Sequence, residues 1–143
     1  MKDTLKVGIE HSFTFPITAA KTVPALYPEA AEFGAMPEVF ATGYMVGFIE
    51  WTCIQAVNPH LGWPQEQTVG TRIEVSHVAA TPPGMSVTAK VKLLEVEGRR
   101  LVFEVEAWDD IDLIARGKHE RFVINKEKFD AKLKGKAKSK SPM

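Results

Sequence analysis

The sequence is poor in cysteine and has no excess of either sign of charge. Its single cysteine, Cys53, excludes an internal disulfide and fits a reducing cytoplasm. Lysine plus arginine and aspartate plus glutamate each total 18, so the net charge gives no electrostatic reason to expect nucleic acid or a membrane as partner. No apolar stretch reaches membrane-spanning length, and the start, MKDTLKVGIEHSF, lacks the apolar run of a signal segment. We therefore expect a soluble, cytoplasmic protein.

Motifs for common cofactors are absent as well. The sequence contains no glycine-rich phosphate loop and no nucleophile elbow of the G-x-S-x-G type. Its four scattered histidines and one cysteine lack the spacing of a zinc site. We therefore expect neither a metal nor a separate cofactor.

The length and the apolar content suit one domain. With 143 residues and 45% hydrophobic content, the chain can bury one substantial core, which we place in residues 1–130. Seven lysines lie between Lys126 and Lys140, and the last residues are small or polar. Residues 131–143 are therefore predicted to be a disordered, Lys-rich tail.

Hydrophobic periodicity predicts a strand, a lid and a long helix in the first half of the chain. Apolar residues alternate in LKVGIEHSFTF, which predicts a strand ended by Pro16. Residues 22–40 contain three prolines and scattered aromatics, so short helical turns that could form a lid are expected there. From Thr42 to about Leu61, apolar side chains cover nearly every direction of a helix, which must then be buried on most sides.

Beyond the helix the hydrophobic period changes to two. Alternating segments separated by turn residues predict four antiparallel strands, in residues 68–80, 85–98, 101–110 and 113–125. A buried helix, these strands and the earlier strand together predict an α+β domain in which a curved antiparallel sheet wraps around the helix.

A single carboxylate interrupts the apolar helix segment TGYMVGFIEWTCIQ. Glu50 is the one formal charge between Glu38 and Glu66. Burial of an unpaired carboxylate costs several kcal/mol, so Glu50 is expected to be partnered, protonated or facing a cleft. A structural role explains Glu50 as well as a catalytic role does. In the structural role, Glu50 bonds a backbone group or a strand lysine and merely fixes the position of the helix.

Histidines supply the second candidate group. His77 is the only ionisable residue on a strand face that otherwise carries Thr71, Ile73, Val75 and Ala79. If that face packs on the helix, His77 and Glu50 can meet. The commoner outcome for an isolated core histidine is a bond to a backbone carbonyl. His119, in GKHERF, alternates with positions expected to face solvent and is a weaker candidate.

Three further residues have both a functional and a structural explanation. Thr42 stands at the predicted helix start, where its hydroxyl can cap a backbone amide or turn toward a ligand. Gly70 allows a ligand to approach the backbone closely, or it marks a β-bulge. Arg121 can pair with a carboxylate of the protein or of a ligand, or it can be a solvated strand residue.

Four strings, in this order, resemble the fluoroacetyl-CoA thioesterase family of hot-dog proteins: EVFATGYMVGFIEW, VGTRIEVSHVAATPPG, VEGRRL and GKHERFVINKEKF. The resemblance extends from about residue 1 to about residue 135. It implies the hot-dog fold, an antiparallel sheet wrapped around a long central helix, and a homodimer. It also implies an acyl-CoA thioesterase for which coenzyme A is part of the substrate and not a cofactor.

The resemblance also implies roles for individual residues. Thr42, Glu50 and His77 match the catalytic set of the family. Gly70 matches the position whose backbone amide holds the thioester carbonyl, and Arg121 matches an arginine that lines the site.

The lid contains the one departure from the family pattern. Two lid phenylalanines in the family shield the small fluorinated acyl group from water. Phe33 matches the first, but Met36 stands in the place of the second. Methionine is apolar and flexible, so it is compatible with a dry pocket but alters both the shape of the pocket and its exclusion of water. We expect hydrolysis to tolerate this change better than fluoroacetyl selectivity does.

Two other functions fit the same residues. A hot-dog hydratase or dehydratase would use a carboxylate and a histidine to move water across a carbon–carbon bond, leaving the thioester intact. A non-catalytic module would bind acyl-CoA or another small apolar ligand, with Glu50 only a structural anchor. We favour hydrolysis of a short-chain acyl-CoA to the free acid and CoA, with fluoroacetyl-CoA as the substrate that the resemblance suggests. Nucleic acid is disfavoured as a partner because the basic residues are concentrated in one tail without interleaved aromatics.

Overall fold

A computed structural model describes residues 1–140 and contains five strands and four α-helices in that range. The strands are β1 (Glu10–Pro16), β2 (Glu66–His77), β3 (Ser86–Glu97), β4 (Arg100–Trp108) and β5 (Leu113–Asn125). The helices are α1 (Val23–Leu26), α2 (Ala31–Gly34), α3 (Thr42–Val57) and α4 (Lys126–Lys138). Between residues 1 and 140, no helix has the length and apolar character needed to cross a membrane.

The five strands form one antiparallel sheet in the order β1-β3-β4-β5-β2. One face of this sheet packs on α3, and a single buried cluster contains Met45, Ile49 and Cys53 of the helix together with Leu93 and Phe103 of the sheet. The predicted α+β architecture, a sheet wrapped around one long helix, is confirmed.

Helix α3 is less enclosed than its composition predicted. Its buried side chains form one broad face, whereas Gly43, Gly47 and Trp51, spaced four residues apart, form an exposed line. Trp51 is 45% exposed and packs edge-on against Phe13 of β1, with 4.6 Å between the ring centroids. The helix ends at Val57 and continues as a short 3-10 turn, close to the predicted end.

A glycine holds the edge strand β2 tightly to β5. Gly117 lies opposite Val75, and a Cβ atom added to Gly117 would be 1.9 Å from the backbone oxygen of Glu74. Backbone atoms cannot move aside cheaply, so any side chain at Gly117 would push the two strands apart. This close approach positions the segment of β2 that carries Gly70 and His77.

The predicted disordered tail is wrong for residues 131–138, which form the end of α4. The Asn125 side chain caps this helix by accepting a hydrogen bond from the Lys128 amide at 3.0 Å. Lys126 and Asp130 form an i,i+4 ion pair at 2.6 Å that also favours the helix. Side chains from 131 to 140 are solvent-exposed. The rest of the predicted tail, residues 141–143, lies outside the described part of the chain.

Candidate active site

Glu50 is paired with an arginine of the sheet. The Nη1 group of Arg121 donates a hydrogen bond to Glu50 Oε1 at 3.0 Å. Arg121 is only 3% exposed, so it is not a solvated strand residue, whereas the Glu50 side chain is 36% exposed. The partner of Glu50 is therefore neither a backbone group nor a lysine, and the carboxylate lies at the border between the core and solvent.

Arg121 is held by four hydrogen bonds. Besides the bond to Glu50, Nε donates to Thr68 Oγ1 at 2.7 Å and Nη2 donates to the Thr68 carbonyl at 2.8 Å. The fourth bond joins Nη1 to His119 Nε2 at 3.0 Å. A guanidinium bound in this way has a fixed plane, so it presents one donor to Glu50 in a fixed direction.

Gly70 provides space for the Glu50 carboxylate. A Cβ atom at Gly70 would lie 2.3 Å from Glu50 Oε1 and 3.3 Å from Arg121 Nη1. The register of β2 against β5 also shifts between Gly70 and Arg72, so the predicted bulge is present. The predicted close approach exists too, but the group that approaches Gly70 is a carboxylate of the protein itself.

His119 also contacts Arg121, although the sequence made it only a weak candidate for the site. It is 2% exposed, and its Nδ1 lies 2.7 Å from the Arg72 carbonyl oxygen. Because Nε2 accepts from Arg121, the ring is neutral and carries its proton on Nδ1, which donates to Arg72. Burial lowers the pKa of His119, the bond to the Arg72 carbonyl opposes this, and the Arg121 charge lowers the pKa further. We call Glu50, Gly70, His119 and Arg121 the Glu50 cluster.

Thr42 and His77 form a second group. Thr42 Oγ1 lies 2.7 Å from His77 Nδ1. The threonine does not cap the helix, because Ala41 is the N-cap residue and Thr42 is the first helical residue. Burial lowers the pKa of His77, partly opposed by the backbone of Ala79, so the ring is neutral near pH 7. Its Nε2 has no hydrogen-bond partner among the described residues.

The expected meeting of His77 with Glu50 does not occur within one chain. His77 contacts Thr42, whereas the histidine near Glu50 is His119, with 3.9 Å between Nε2 and Oε1. Thr42 and Glu50 are eight residues apart on α3, about 12 Å along the helix axis. The predicted site residues therefore form two groups in the chain, not one.

The lid, residues 22–40, lies over the start of α3. A bridge between Thr22 and Phe40 closes its base. Its Leu26 side chain packs against the helix, with Cδ1 3.3 Å from the place of a Cβ on Gly43. Phe33 stacks on Tyr27 with 5.7 Å between the ring centroids.

Met36 differs from Phe33 in its packing. It follows α2, donates its backbone amide to the Phe33 carbonyl at 3.0 Å, and is 51% exposed. The lid therefore contains one stacked aromatic and one solvent-facing, flexible side chain at the two positions that the sequence singled out.

Acidification should destabilise the fold through His77 and His119, whose pKa values burial lowers. A histidine whose pKa is lowered below the ordinary 6.5 binds fewer protons folded than unfolded, as His77 and His119 do. The free energy of unfolding is then highest above pH 6.5 and falls as the pH drops below it toward the folded pKa values. Urea denaturation between about pH 8 and about pH 5.5 measures this loss, since most carboxylates titrate lower, near about pH 4.

Replacing one histidine separates the contributions. His119→Gln should flatten the pH dependence of the free energy of unfolding, because it removes one of the two histidines whose pKa is lowered in the folded protein. An unchanged slope in His119→Gln would show that His119 does not titrate with folding.

Comparison with known proteins identifies the family of the chain. Residues 22–127 match the fluoroacetyl-CoA-specific thioesterase family. The fluoroacetyl-CoA thioesterase of Streptantibioticus cattleyicolor is 52% identical over 136 residues, which cover 95% of this chain and 97% of that protein.

Solved structures of fluoroacetyl-CoA thioesterase superpose closely. One is 49% identical with a TM-score of 0.91, covering 98% of this chain and all of its own. A single-residue variant with fluoroacetate and CoA bound is 51% identical with a TM-score of 0.84, covering 87% of this chain and 99% of its own. The chain therefore belongs to the fluoroacetyl-CoA-specific thioesterase family, thioester hydrolases with the hot-dog fold.

Proposed function

We propose that the protein hydrolyses the thioester of a short-chain acyl-CoA to the free acid and CoA, and that fluoroacetyl-CoA is its preferred substrate. The observation that carries this proposal is the Glu50 carboxylate, which a buried arginine holds by one oxygen beside the backbone of Gly70. Relatives at about half identity act on fluoroacetyl-CoA, and one was crystallised with fluoroacetate and CoA.

Glu50 is placed to activate a nucleophile. The leaving group of a thioester is a thiolate whose parent thiol has a pKa of about 8.5, so its departure needs little protonation. The harder steps are delivery of the nucleophile and stabilisation of the oxyanion. Arg121 binds Oε1 of Glu50, and Oε2 accepts no hydrogen bond from the described residues. That oxygen either takes a proton from water or attacks the carbonyl carbon itself.

The other residues assist at the two ends of the reacting bond. The backbone amide of Gly70 donates to the developing oxyanion. In the route through water, His77 relays to the departing sulfur the proton that Glu50 has taken from water, since its Nε2 is unpartnered within residues 1–140 while its Nδ1 is bound to Thr42. Thr42 orients this ring and positions or shares the nucleophile. Coenzyme A takes part only as a portion of the substrate, and no further cofactor is required.

We propose a homodimer because one chain separates the Thr42–His77 pair from the Glu50 cluster. Strand β2 is an edge of the sheet, and no strand within residues 1–140 covers its outer side. Two copies that pair antiparallel about a point between Ile73 and Glu74 would bring Gly70 of one copy opposite His77 of the other, because both residues lie equally far from that point. Each site would then combine the Glu50 cluster of one copy with the Thr42–His77 pair of the other.

Mixing two inactive variants tests the shared site. We expect Glu50→Gln and His77→Ala each to be inactive alone, and a refolded equimolar mixture to recover about one quarter of the wild-type activity. Half of the dimers would be mixed, and each mixed dimer would have one intact site out of two. If each chain holds a complete site, the mixture stays inactive. Light scattering should give twice the 15.9 kDa chain mass.

Release of free thiol tests the proposed reaction. A colorimetric thiol reagent should detect CoA from fluoroacetyl-CoA, and more slowly from acetyl-CoA. Equal rates of thiol release from the two substrates would indicate a general short-chain thioesterase. Loss or gain of a double bond without thiol would favour the hydratase, and binding of both compounds without turnover would favour the non-catalytic module. No thiol from any acyl-CoA would refute the proposal.

Met36→Phe should sharpen the preference for the fluorinated substrate. A second lid phenylalanine offers a rigid ring in place of a flexible, half-exposed thioether. We expect the ratio of kcat/KM for fluoroacetyl-CoA over acetyl-CoA to rise by up to about 10-fold, the effect of one good apolar contact. Met36→Leu is the control, because leucine has a similar volume and no aromatic ring. It should leave the ratio unchanged. A lower ratio in Met36→Phe would show that the methionine itself favours the fluorinated group.

The cellular location is part of the proposal. The thiol of Cys53 is free and completely buried, and burial raises its pKa, so it is an unreactive core group. A free thiol in the core is compatible with the reducing cytoplasm, where we expect the enzyme to work.

A further inference from the structure

We propose that His119 is a positioning residue for thioester hydrolysis, which accepts one hydrogen of Arg121 and so fixes the N–H group that holds Glu50. The inference rests on the proposed function of Glu50. His119 is the one ionisable residue of the Glu50 cluster without a role in the proposed reaction.

Four of the five N–H hydrogens of Arg121 have acceptors among the described residues. Nε and Nη2 are bound to Thr68, at 2.7 Å and 2.8 Å. Nη1 has two hydrogens, and its two partners are Glu50 Oε1 and His119 Nε2, both at 3.0 Å. His119 therefore takes the Nη1 hydrogen that Glu50 does not.

His119 acts through Arg121 and not directly on the carboxylate. Its Nε2 lies 3.9 Å from Glu50 Oε1, beyond hydrogen-bond distance. The ring itself cannot turn freely, because it is buried and Nδ1 donates to the Arg72 carbonyl at 2.7 Å. The bond to Arg72 fixes which nitrogen accepts, as the outer partner of an active-site histidine commonly does.

Without the acceptor, Arg121 has a free hydrogen next to Glu50. A buried N–H group without a partner seeks another acceptor, and the guanidinium turns or shifts to reach one. Glu50 Oε1 follows its donor, because Arg121 Nη1 is its one hydrogen-bond partner within residues 1–140. The second oxygen of Glu50 then leaves the place from which it activates water. His119 prevents this by holding the second Nη1 hydrogen with a neutral acceptor.

Two substitutions of similar size separate this role from packing. His119→Gln can place its amide oxygen near the position of Nε2, whereas His119→Leu supplies no acceptor. Both lack the Nδ1 bond to Arg72, so both should lower the melting temperature by similar amounts. We expect His119→Leu to lower kcat about 10- to 100-fold with little change in KM. His119→Gln should stay within about 3-fold of the wild-type kcat.

Several results would overturn the proposal. Wild-type kcat in His119→Leu would do so, as would equal losses in the two variants. If His119→Leu does not fold, His119→Met makes the same comparison.

A readout without substrate keeps the test independent of the proposed function. The side-chain NMR signal of Arg121 should show a slowly exchanging Nη1 group in the wild type and in His119→Gln, and an altered one in His119→Leu. If no acyl-CoA is hydrolysed, this signal still decides whether His119 holds Arg121. Identical spectra in all three proteins would refute the contact.

Discussion

Glu50→Gln is expected to lower kcat for thiol release by about 10²- to 10⁴-fold while the protein stays folded. Glutamine keeps the shape of the side chain and an oxygen that can accept from Arg121 Nη1. It loses the negative charge, so it can neither take a proton from water nor attack a carbonyl carbon. KM should change less than kcat, because the carboxylate acts on the reacting bond.

Stability should fall moderately in the same variant. Arg121 is buried, and Glu50 is the one carboxylate that pairs with it within residues 1–140. Removing one partner of a fully buried ion pair costs about 3–5 kcal/mol, but Glu50 is partly exposed and glutamine retains one bond. We expect a loss of about 1–2 kcal/mol, measurable by urea denaturation.

An exposed glutamate provides the matched control. Glu104, on the solvent side of β4, should tolerate Glu104→Gln without change in kcat or stability. Near-normal turnover in Glu50→Gln would contradict a catalytic role and leave Glu50 as the structural anchor that the sequence also allowed. Equal losses in both variants would point to a general effect of charge.

The local elements could be predicted from the sequence because their patterns are local. The alternation in the second half of the chain gave the four strands, and the apolar segment from Thr42 gave α3. Prolines in residues 22–40 predicted the short helices of the lid. In each case the hydrophobic period or a breaker residue determines the backbone within a few residues.

Contacts across the sheet could not be predicted in the same way. Glu50 and Arg121 are 71 residues apart, and neither the apolar helix nor the charged strand shows that they meet. The resemblance to a family placed both in one site but gave no geometry. His119 had a usable signal, because it is two residues from Arg121 and therefore on the same face of β5. Its position between charged neighbours concealed that signal.

The same limit explains two contacts that differ from expectation within one chain. Helix-start statistics favoured a capping role for Thr42, but a tertiary partner, His77, binds its hydroxyl instead. The end of β2 that carries Val75 and His77 packs toward α3, whereas Ile73 of the same face is exposed, and strand direction sets His77 near the start of the helix. Glu50 lies two turns further on.

Gly70→Ala is expected to lower kcat by about 10²-fold and the free energy of unfolding by about 1–2 kcal/mol. The new methyl group would lie 2.3 Å from Glu50 Oε1, so the carboxylate must move. The Glu50 side chain is flexible enough to move, but its carboxylate then leaves its place on the buried Arg121 and beside the Gly70 amide, which lowers stability as well as activity. Gly135→Ala, on α4 with no atom within 4 Å of the added methyl group, should keep full activity.

A double variant shows whether Gly70 acts through Glu50. If the methyl group harms catalysis only by displacing the carboxylate, Gly70→Ala should cost about 10²-fold in the wild type but little more once Glu50→Gln is present. Additive losses would mean that the methyl group instead disturbs the oxyanion donor or the substrate. Wild-type kcat in Gly70→Ala would show that the carboxylate need not lie against this glycine. The glycine would then serve only the bulge between Gly70 and Arg72.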